Sequence, residues 1–241
     1  MPTEDDAVLT ALEEGELSLV GEFLWGSNYT YSTQVAHQGK TLQAVYKPTR
    51  GERPLWDFPR ASLARREVAA YLVSEALGWR LVPPTVYRKD GPIGPGSLQL
   101  YIEHDPEYHY FNFSTAERQR LRPVVLFDLL INNADRKGSH LLIDNTGHLW
   151  LIDHGICFHR EDKLRTVIWD FAGEAIPGEL RVALGELEGC LKPGSDVVAR
   201  LKRYLNLEEI EALGKRARRL AASGRFPNPH PNRRPYPWPP I

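Results

Sequence analysis

The alternation of apolar and polar residues divides the chain into a strand-rich first part and a helix-rich second part. Near the start, alternating apolar positions predict three strands, separated by short turns that contain glycine and small polar residues. These strands are predicted over residues 16–25, 29–37 and 41–47. Because the turns are short, we expect the three strands to form an antiparallel meander.

Helical spacing of apolar residues appears after this meander. Residues 62–77 predict a long helix that ends at Gly78, and residues 97–103 predict a further strand. A Ser-Thr-Ala-Glu capping box at 114–117 opens the helical part of the chain. Later helices are predicted over 124–131, near 177–188 and 195–204, and over about 206–222. The pattern therefore predicts an α+β protein.

The end of the chain differs in composition from the rest. The last predicted helix ends with four basic residues, which match the helix dipole and are expected to form a solvated face. These residues are Lys215, Arg216, Arg218 and Arg219. Residues 225–241 are rich in proline, so we expect them either to lie over the surface as an extended strand or to be disordered.

The stretch from residue 124 to 158 combines apolar elements with concentrated polar chemistry. A helix is followed by the polar loop Asn-Asn-Ala-Asp-Arg-Lys-Gly at 132–138, and then by two short predicted strands over 140–143 and 148–152. Asp135 and Asp153 stand at the two ends of this hairpin, 18 residues apart. Folding the hairpin brings its ends together, so both acids can face one pocket. That geometry suits binding a metal–phosphate complex with a base beside it.

Three features of the first part of the chain are candidates for the same pocket. Gly26, Ser27 and Asn28 form a turn of small residues that could approach a phosphate, although the same pattern is typical of a plain hairpin turn. Lys47 ends a strand, and it is a candidate site residue only if its side chain points into a cleft rather than into solvent. Glu67 could pair with Lys47 across the lobe, or it could be an exposed helix glutamate beside two arginines.

The order of these elements resembles the protein-kinase-like fold. The motifs Asn133-Ala134-Asp135-Arg136 and Leu151-Ile152-Asp153-His154-Gly155 are similar to those of phosphatidylinositol 3-/4-kinase-like proteins and HipA-type kinases. More narrowly, the chain resembles an actinobacterial-type branch of the phosphatidylinositol-kinase-like proteins over residues 16–220. The resemblance implies a two-lobed fold with an antiparallel β-rich N-lobe and a mainly helical C-lobe. The implied boundaries are 1–104 for the N-lobe, 105–224 for the C-lobe and 225–241 for a proline-rich tail.

The resemblance also implies an ATP site in the N-lobe. The turn with Ser27 and Asn28 would cover the nucleotide phosphates, and Lys47 would contact the α- and β-phosphates while Glu67 holds it. Backbone groups of residues 99–103 would form the adenine hinge, which includes Gln99, Tyr101 and Ile102.

In the C-lobe, the resemblance assigns different roles to the two acids. Asp135 would orient or deprotonate the acceptor hydroxyl, and Asp153 would bind a Mg²⁺ or Mn²⁺ ion that bridges the phosphates. His140 departs from the family pattern, in which an asparagine binds metal at this position. Three alternatives follow: His140 is a variant metal ligand, a single metal is used, or activity is reduced.

The composition of the chain argues against some classes of binding partner. The net charge of −1 argues against nucleic acid or a membrane surface as the main partner. The sequence contains no run of about 20 apolar residues, so we do not expect stable insertion into a membrane. The acidic N-terminus lacks an apolar signal segment, and two cysteines without ligand spacing fit a reducing compartment, so we expect a cytoplasmic protein.

The function predicted from the sequence is ATP-dependent phosphotransfer to an unknown acceptor, a protein or a small molecule rather than a lipid. Two alternatives remain open at this point. One is a pseudokinase that acts as a nucleotide-binding or scaffold module, which His140 favours. The other is nucleotidyl transfer to a protein by the same residues.

Overall fold

The computed structural model describes residues 4–23 and 28–241, and in it the first part of the chain forms one antiparallel sheet. The strand order in this sheet is β1-β2-β3-β5-β4. The strands are β1 (Glu16–Glu22), β2 (Tyr31–His37), β3 (Lys40–Pro48), β4 (Thr85–Arg88) and β5 (Gly96–Leu100). The first three strands pair in sequence order, so the predicted meander is confirmed.

Local features set the bounds of two strands in the sheet. The strand β4 begins at Thr85, after Pro83 and Pro84, because a proline has no N–H to donate to a sheet. It lies at the sheet edge, where a strand beside prolines is tolerated. The strand β5 ends at Leu100 rather than at residue 103, since the chain turns there toward the helical part.

The described residues form seven α-helices in addition to this sheet. They are α1 (Glu4–Glu14), α2 (Leu63–Ala76), α3 (Thr115–Gln119), α4 (Arg122–Ile131), α5 (Gly178–Cys190), α6 (Asp196–Leu201) and α7 (Leu207–Ser223). The predicted capping box is present, because Ser114 and Glu117 exchange hydrogen bonds at the start of α3. Among the described residues, no helix is both long and apolar enough to cross a membrane.

Two apolar clusters form the core. The smaller lies between α1 and the sheet, and it includes Leu12, Val35, Tyr46 and Leu98. The larger joins α2 to α4, α5, α6 and α7. The helix α2 therefore packs against strands β4 and β5 of the sheet and also against the helical part.

The predicted hairpin follows α4 closely. That helix ends at Asn132, which adopts a left-handed conformation with φ of 55°. A 3-10 turn (Gly138–His140) leads into strands β6 (Leu141–Ile143) and β7 (Leu149–Leu151), which pair antiparallel. The local sequence pattern thus places Asp135 before the hairpin and Asp153 after it.

The proline-rich tail lies on the helical part of the molecule. Phe226 is buried, with 2% exposed, and its N–H donates to the Glu174 carbonyl at 3.0 Å. Further along, the Pro235 and Pro240 carbonyls accept hydrogen bonds from the backbone N–H groups of Thr166 and Gly138. The structure therefore selects the surface-docked alternative for residues 225–241.

Candidate active site

A cleft of about 430 Å³ lies between the sheet and the helical part. Its lining includes all of the predicted site residues that the structure describes. These are Asn28, Lys47, Glu67, Gln99, Tyr101, Ile102, Asp135, His140 and Asp153. Gly26 and Ser27 lie outside the described residues.

Lys47 connects three distant parts of the chain at the centre of this cleft. It lies near the end of β3, and its Nζ contacts Glu67 Oε1 at 2.5 Å and Asp153 Oδ1 at 3.0 Å. Burial alone would lower the pKa of Lys47, but the Asp153 and Glu67 carboxylates outweigh burial and raise the pKa. Lys47 therefore stays cationic and faces the cleft rather than bulk solvent.

Glu67 holds both Lys47 and the segment after β7. It lies on α2 with 2% of its surface exposed, so the alternative of an exposed glutamate is wrong. Its second oxygen, Oε2, accepts the His154 backbone N–H at 2.8 Å. Burial raises the pKa of Glu67, and the charge of Lys47 opposes this rise.

Asp153 presents its carboxylate to the cleft from an unusual backbone conformation. It follows β7 with φ of 61°, a left-handed conformation that side-chain-bearing residues seldom adopt. Its side chain is 49% exposed. Partial burial raises its pKa, but Lys47 and then His140 outweigh burial, so the pKa lies well below its ordinary value. Asp153 is thus an ionised carboxylate at neutral pH.

Asp135 lies in the loop between α4 and β6, and its surroundings raise its pKa, whereas those of Asp153 lower the pKa of that residue. Burial, helped by the nearby charge of Asp153, raises the pKa of Asp135 to about 6. The Lys137 ammonium, 3.9 Å away, opposes this rise. The Asp135 backbone N–H donates to Asn133 Oδ1 at 2.9 Å, which shapes the loop from within.

The loop that carries Asp135 is held in place by the buried side chain of Arg136, a role that was not predicted from the sequence. Arg136 is fully buried, and its Nε donates to both oxygens of Asp128 at 3.1 and 3.0 Å. Its other nitrogens donate to the Ile152 carbonyl and to His154 Nε2, both at 2.8 Å. An aspartate inside the otherwise apolar run of α4 was the signal that could have revealed this pair.

His140 contacts Asp153 directly. Its Nε2 lies 3.3 Å from Asp153 Oδ2, while the Lys137 backbone N–H faces Nδ1 at 3.4 Å. Burial lowers the pKa of His140 to about 3, so the ring is neutral at neutral pH. Because Nδ1 faces a donor, the ring proton belongs on Nε2, the nitrogen nearer to Asp153. In this geometry the Nε2 side of the neutral His140 ring lies against the Asp153 carboxylate.

The donor set fits a metal that is shared with phosphate oxygens. Within the described part of the chain, no group of three or more His, Cys, Asp or Glu residues could hold a metal ion. Asp153 offers one ionised, half-exposed carboxylate, and Mg²⁺ is commonly held by one or two carboxylates together with substrate phosphates and water. Asp153 therefore fits the role of a single protein carboxylate ligand.

The predicted hinge residues lie beside this charged centre. Gln99 is buried within β5, and its Nε2 donates to Thr85 Oγ1 at 2.8 Å. The Tyr101 backbone N–H donates to the Gln43 carbonyl at 3.0 Å, and the Ile102 carbonyl lies 2.7 Å from His104 Nδ1. These three residues line the cleft, and the use of their backbone groups for adenine stays a prediction.

Known proteins are similar to this chain in fold and, to differing extents, in sequence. Two solved structures have the same fold: hydra Fam20 with sugar (TM-score 0.59, 15% identical, 92% of this chain and 89% of that chain) and the Golgi casein kinase with Mn/ADP bound (TM-score 0.55, 16% identical, 90% and 74%). At such low identity these structures show the fold alone, which is the predicted two-lobed, kinase-like α+β fold. The resemblance to HipA-type kinases stays a prediction.

Sequence relatives extend from part of the chain to nearly all of it. Phosphatidylinositol 4-kinase gamma 4 of Oryza sativa is 27% identical over 52% of this chain and 26% of that protein. Protein Rv2133c of Mycobacterium tuberculosis is 39% identical over 95% of this chain and 93% of that protein. The family profile described as phosphatidylinositol 3- and 4-kinase matches residues 62–182, a segment that includes Glu67, Asp135 and Asp153. The chain belongs to the phosphatidylinositol 3- and 4-kinase family.

Proposed function

We propose that this protein is an ATP-dependent phosphotransferase whose acceptor is a protein or a small molecule. The observation that carries the proposal is the bridge that Lys47 makes between Glu67 and Asp153, in a cleft that also contains Asp135. Family membership and the kinase-like fold support phosphoryl transfer as the reaction class. The Golgi casein kinase structure, which has Mn/ADP bound, supports the use of a nucleotide with a divalent metal.

The cationic side of the site is built by Lys47 and its partners. Phosphoryl transfer depends mainly on positioning and on neutralising the charge of the triphosphate. Lys47 stays protonated beside two carboxylates, so it offers a fixed positive charge to the α- and β-phosphates. Glu67 holds that ammonium in place, and Asp153 would hold Mg²⁺ or Mn²⁺. When bound, the metal ion supplies further charge neutralisation at the phosphate oxygens.

The acceptor side of the site is assigned to Asp135. Its pKa of about 6 lies close to neutral pH, so the carboxylate is mostly ionised yet can accept a proton from an acceptor hydroxyl. A positioned base of this kind contributes roughly 10²–10⁴-fold in rate. Arg136 acts beneath it as a positioning residue, because its side chain ties the loop to α4 and to the segment after β7.

The nucleotide would enter from the side of the sheet. Ser27 and Asn28 would cover the phosphates, and the backbone of residues 99–103 would face the adenine. Asn28 Oδ1 accepts the Arg53 N–H at 2.7 Å, which anchors its side chain at the cleft. We retain the division into an N-lobe at 1–104, a C-lobe at 105–224 and a tail at 225–241 as part of the proposal.

Replacing Asp153 tests the metal and nucleotide assignment. ATP with Mn²⁺ should raise the melting temperature of the wild-type protein, because a ligand at 100 times its Kd stabilises a fold by about 2.7 kcal/mol. Asp153→Ala should abolish this metal-dependent increase. The matched control is Asp196→Ala, which removes an exposed carboxylate on α6 and should keep the increase. An Asp153→Ala protein with the full wild-type increase would contradict the proposal.

A second candidate function is a pseudokinase that binds nucleotide with little turnover. The contact between His140 Nε2 and Asp153 Oδ2 favours it, because a family metal ligand is replaced by a donor that competes for the same carboxylate. Intact binding of ATP without phosphate transfer or ATP hydrolysis by the wild-type protein would select this function.

Metal preference tests the role of His140 itself. We expect Mg²⁺ and Mn²⁺ to support ATP binding to similar extents, and His140→Ala to change both affinities by a similar factor. The reason is that Nδ1 accepts the Lys137 N–H and Nε2 carries the ring proton, so neither nitrogen has a free lone pair for a metal. Isothermal titration of both proteins with both ions measures this. A loss confined to Mn²⁺ in His140→Ala would instead show that His140 is a metal ligand.

A further inference from the structure

A second and larger cavity, of about 1610 Å³, forms a groove that shares the wall residue Ile156 with the active-site cleft. Its walls come from the segment at residues 156–173, from α7 and from the proline-rich tail. We call it the basic groove, because nine Lys and Arg side chains and three Asp and Glu side chains line it, a formal charge of +6. The whole chain carries −1, so charge is strongly segregated. The overall net charge concealed this surface from sequence reasoning.

The acids of the basic groove do not neutralise it. Asp57 and Glu161 both contact Lys163, and Asp162 contacts Arg233. Six of the groove's cations have no carboxylate within ion-pair distance among the described residues. They are Arg165, Lys215, Arg216, Arg219, Arg225 and Arg234. The groove therefore presents an uncompensated positive surface.

Two buried donors in the groove walls lack acceptors. Arg216 is only 8% exposed, which contradicts the expectation of a solvated basic face for this residue. Its Nε donates to the Leu130 carbonyl at 2.6 Å, but its Nη2 is buried and has no acceptor among the described residues. The same is true of Trp169 Nε1. Buried donors without acceptors are unfavourable, so these positions call for a ligand that supplies acceptors.

Arg216 keeps its charge in spite of burial. Burial lowers the pKa of Arg216 to about 10, which still leaves the guanidinium protonated at neutral pH. The backbone carbonyls of Leu130 and His159 hold two of its nitrogens, so the third is fixed in position. A fixed guanidinium is well suited to a carboxylate partner.

The groove and the active-site cleft share a wall residue. Ile156 lines both cavities. Arg165, at the groove wall, donates from its Nε to the Ala134 carbonyl at 2.6 Å, immediately before Asp135 in the chain. The groove wall therefore contacts the loop immediately before Asp135, on the acceptor side of the site.

We propose that the basic groove binds an acidic peptide segment of a protein acceptor and directs a nearby hydroxyl toward Asp135. This inference rests on the proposed phosphotransferase function for the role of Asp135. A peptide offers carboxylates to the cations and neutral carbonyls to the Trp169 indole, which matches both kinds of donor. The volume exceeds the roughly 300–1,000 Å³ of a small-ligand site, and a flat bilayer would not reach donors buried in a groove.

Peptide binding without ATP tests the groove separately from the reaction. The probe is a short fluorescein-labelled peptide of alternating Glu and Gly with one central Ser, and its partner has Gln in place of Glu. Fluorescence anisotropy with the full chain should show binding of the Glu peptide and much weaker binding of the Gln peptide. Equal affinity for both peptides would overturn the proposal.

Charge reversal on α7 locates the binding surface. The double variant Lys215→Glu with Arg219→Glu should bind the Glu peptide with an affinity lower by roughly tenfold or more. The control, Lys202→Glu with Arg203→Glu, makes the same change in net charge at exposed positions outside the groove and should change affinity by less than about twofold. Equal losses in both proteins would show bulk attraction and overturn the proposal. Trp169→Phe, which removes the indole N–H together with part of the ring system, should also weaken binding severalfold.

Other anions separate the alternative ligands. If sodium tripolyphosphate or phosphatidylserine vesicles bind with the same dependence on Lys215 and Arg219 while the Glu peptide does not bind, the peptide assignment is overturned. The metal-dependent ATP stabilisation is measured on the same groove variant and should be retained. If the wild-type protein binds the peptide but ATP does not raise its melting temperature, the proposed function is contradicted and the groove assignment is retained. ATP stabilisation without peptide binding would do the reverse.

Discussion

Asp135 and Asp153 line the same cleft, yet their surroundings move their pKa values in opposite directions. Lys47 Nζ lies 3.0 Å from Asp153 and lowers its pKa, whereas burial raises the pKa of Asp135 to about 6. Two carboxylates with separated pKa values can perform different tasks at one pH. The contrast supports Asp153 on the metal side and Asp135 on the acceptor side.

The raised pKa of Asp135 predicts a pH-dependent loss of stability in the metal-free protein. The folded state keeps the Asp135 proton up to about pH 6, whereas the unfolded chain releases it near pH 3.9. Between these values the folded state binds more protons, so the free energy of unfolding falls as pH rises toward 6. Asp135→Asn should be free of this loss and more stable than wild type by about 1–2 kcal/mol at pH 8.

Urea unfolding with EDTA at several pH values measures this difference. The stability gap between Asp135→Asn and wild type should open between pH 4 and pH 6 and remain constant above that range. Asp196→Asn, which removes a carboxylate from an exposed position on α6, controls for the change in net charge. A gap that is the same at pH 4 and pH 8 would show that Asp135 has an ordinary pKa.

At the scale of elements, α4 and the loop after it act as one unit. Asp128 is 1% exposed on this helix, and Arg136 in the following loop is fully buried against it. A buried charge that loses its partner is strongly unfavourable, whereas an exposed ion pair contributes little. The loop that carries Asp135 is therefore positioned by a charge within the apolar face of a helix.

Removing each kind of acid separates these contributions. Asp128→Ala should lower the free energy of unfolding by about 3–5 kcal/mol, because it leaves Arg136 charged and buried without its carboxylate. Arg122, also on α4, has an exposed partner in Glu174; the two side chains are 27% and 48% exposed, respectively. Glu174→Ala should lower the free energy of unfolding by only about 0–1 kcal/mol. Guanidinium unfolding midpoints measure both. Similar losses would mean that the Asp128–Arg136 pair does not support the loop.

At the scale of the whole molecule, α2 joins the sheet to the helical part. Arg66 on α2 pairs with Glu209 on α7, and both are buried. Its Nη1 also donates to the Cys157 carbonyl at 2.6 Å. Since α2 shares the larger apolar core as well, the parts on either side of the predicted boundary at residue 104 are expected to unfold together.

Cooperative unfolding can be tested at Arg66. Arg66→Ala should lower the free energy of unfolding by about 3–5 kcal/mol and keep a single transition, because Glu209 is left buried without its partner. Arg65→Ala, at the exposed neighbouring position, should have a much smaller effect. Tryptophan fluorescence and far-UV circular dichroism should give coincident transitions. Two separate transitions would show that the lobes fold independently.

Much of the fold could be predicted because its signals are local. Alternation and short turns specify the β1–β2–β3 meander, and the Ser114–Glu117 box specifies the start of α3. The hairpin after α4 requires Asp135 and Asp153 to flank it, whatever packs around them. These features depend on neighbours within a few residues in the chain, which is the range that a periodic pattern reports.

The partners of each charge were decided only by tertiary structure. Lys47 and Asp153 are 106 residues apart, and nothing local distinguishes Lys47 from a solvated strand end. Arg216 looks like its exposed neighbours in the sequence, but packing against the Leu130 carbonyl buries it. Whether a charged side chain is solvated or paired depends on burial and on distant partners, and both arise only when separate segments pack together.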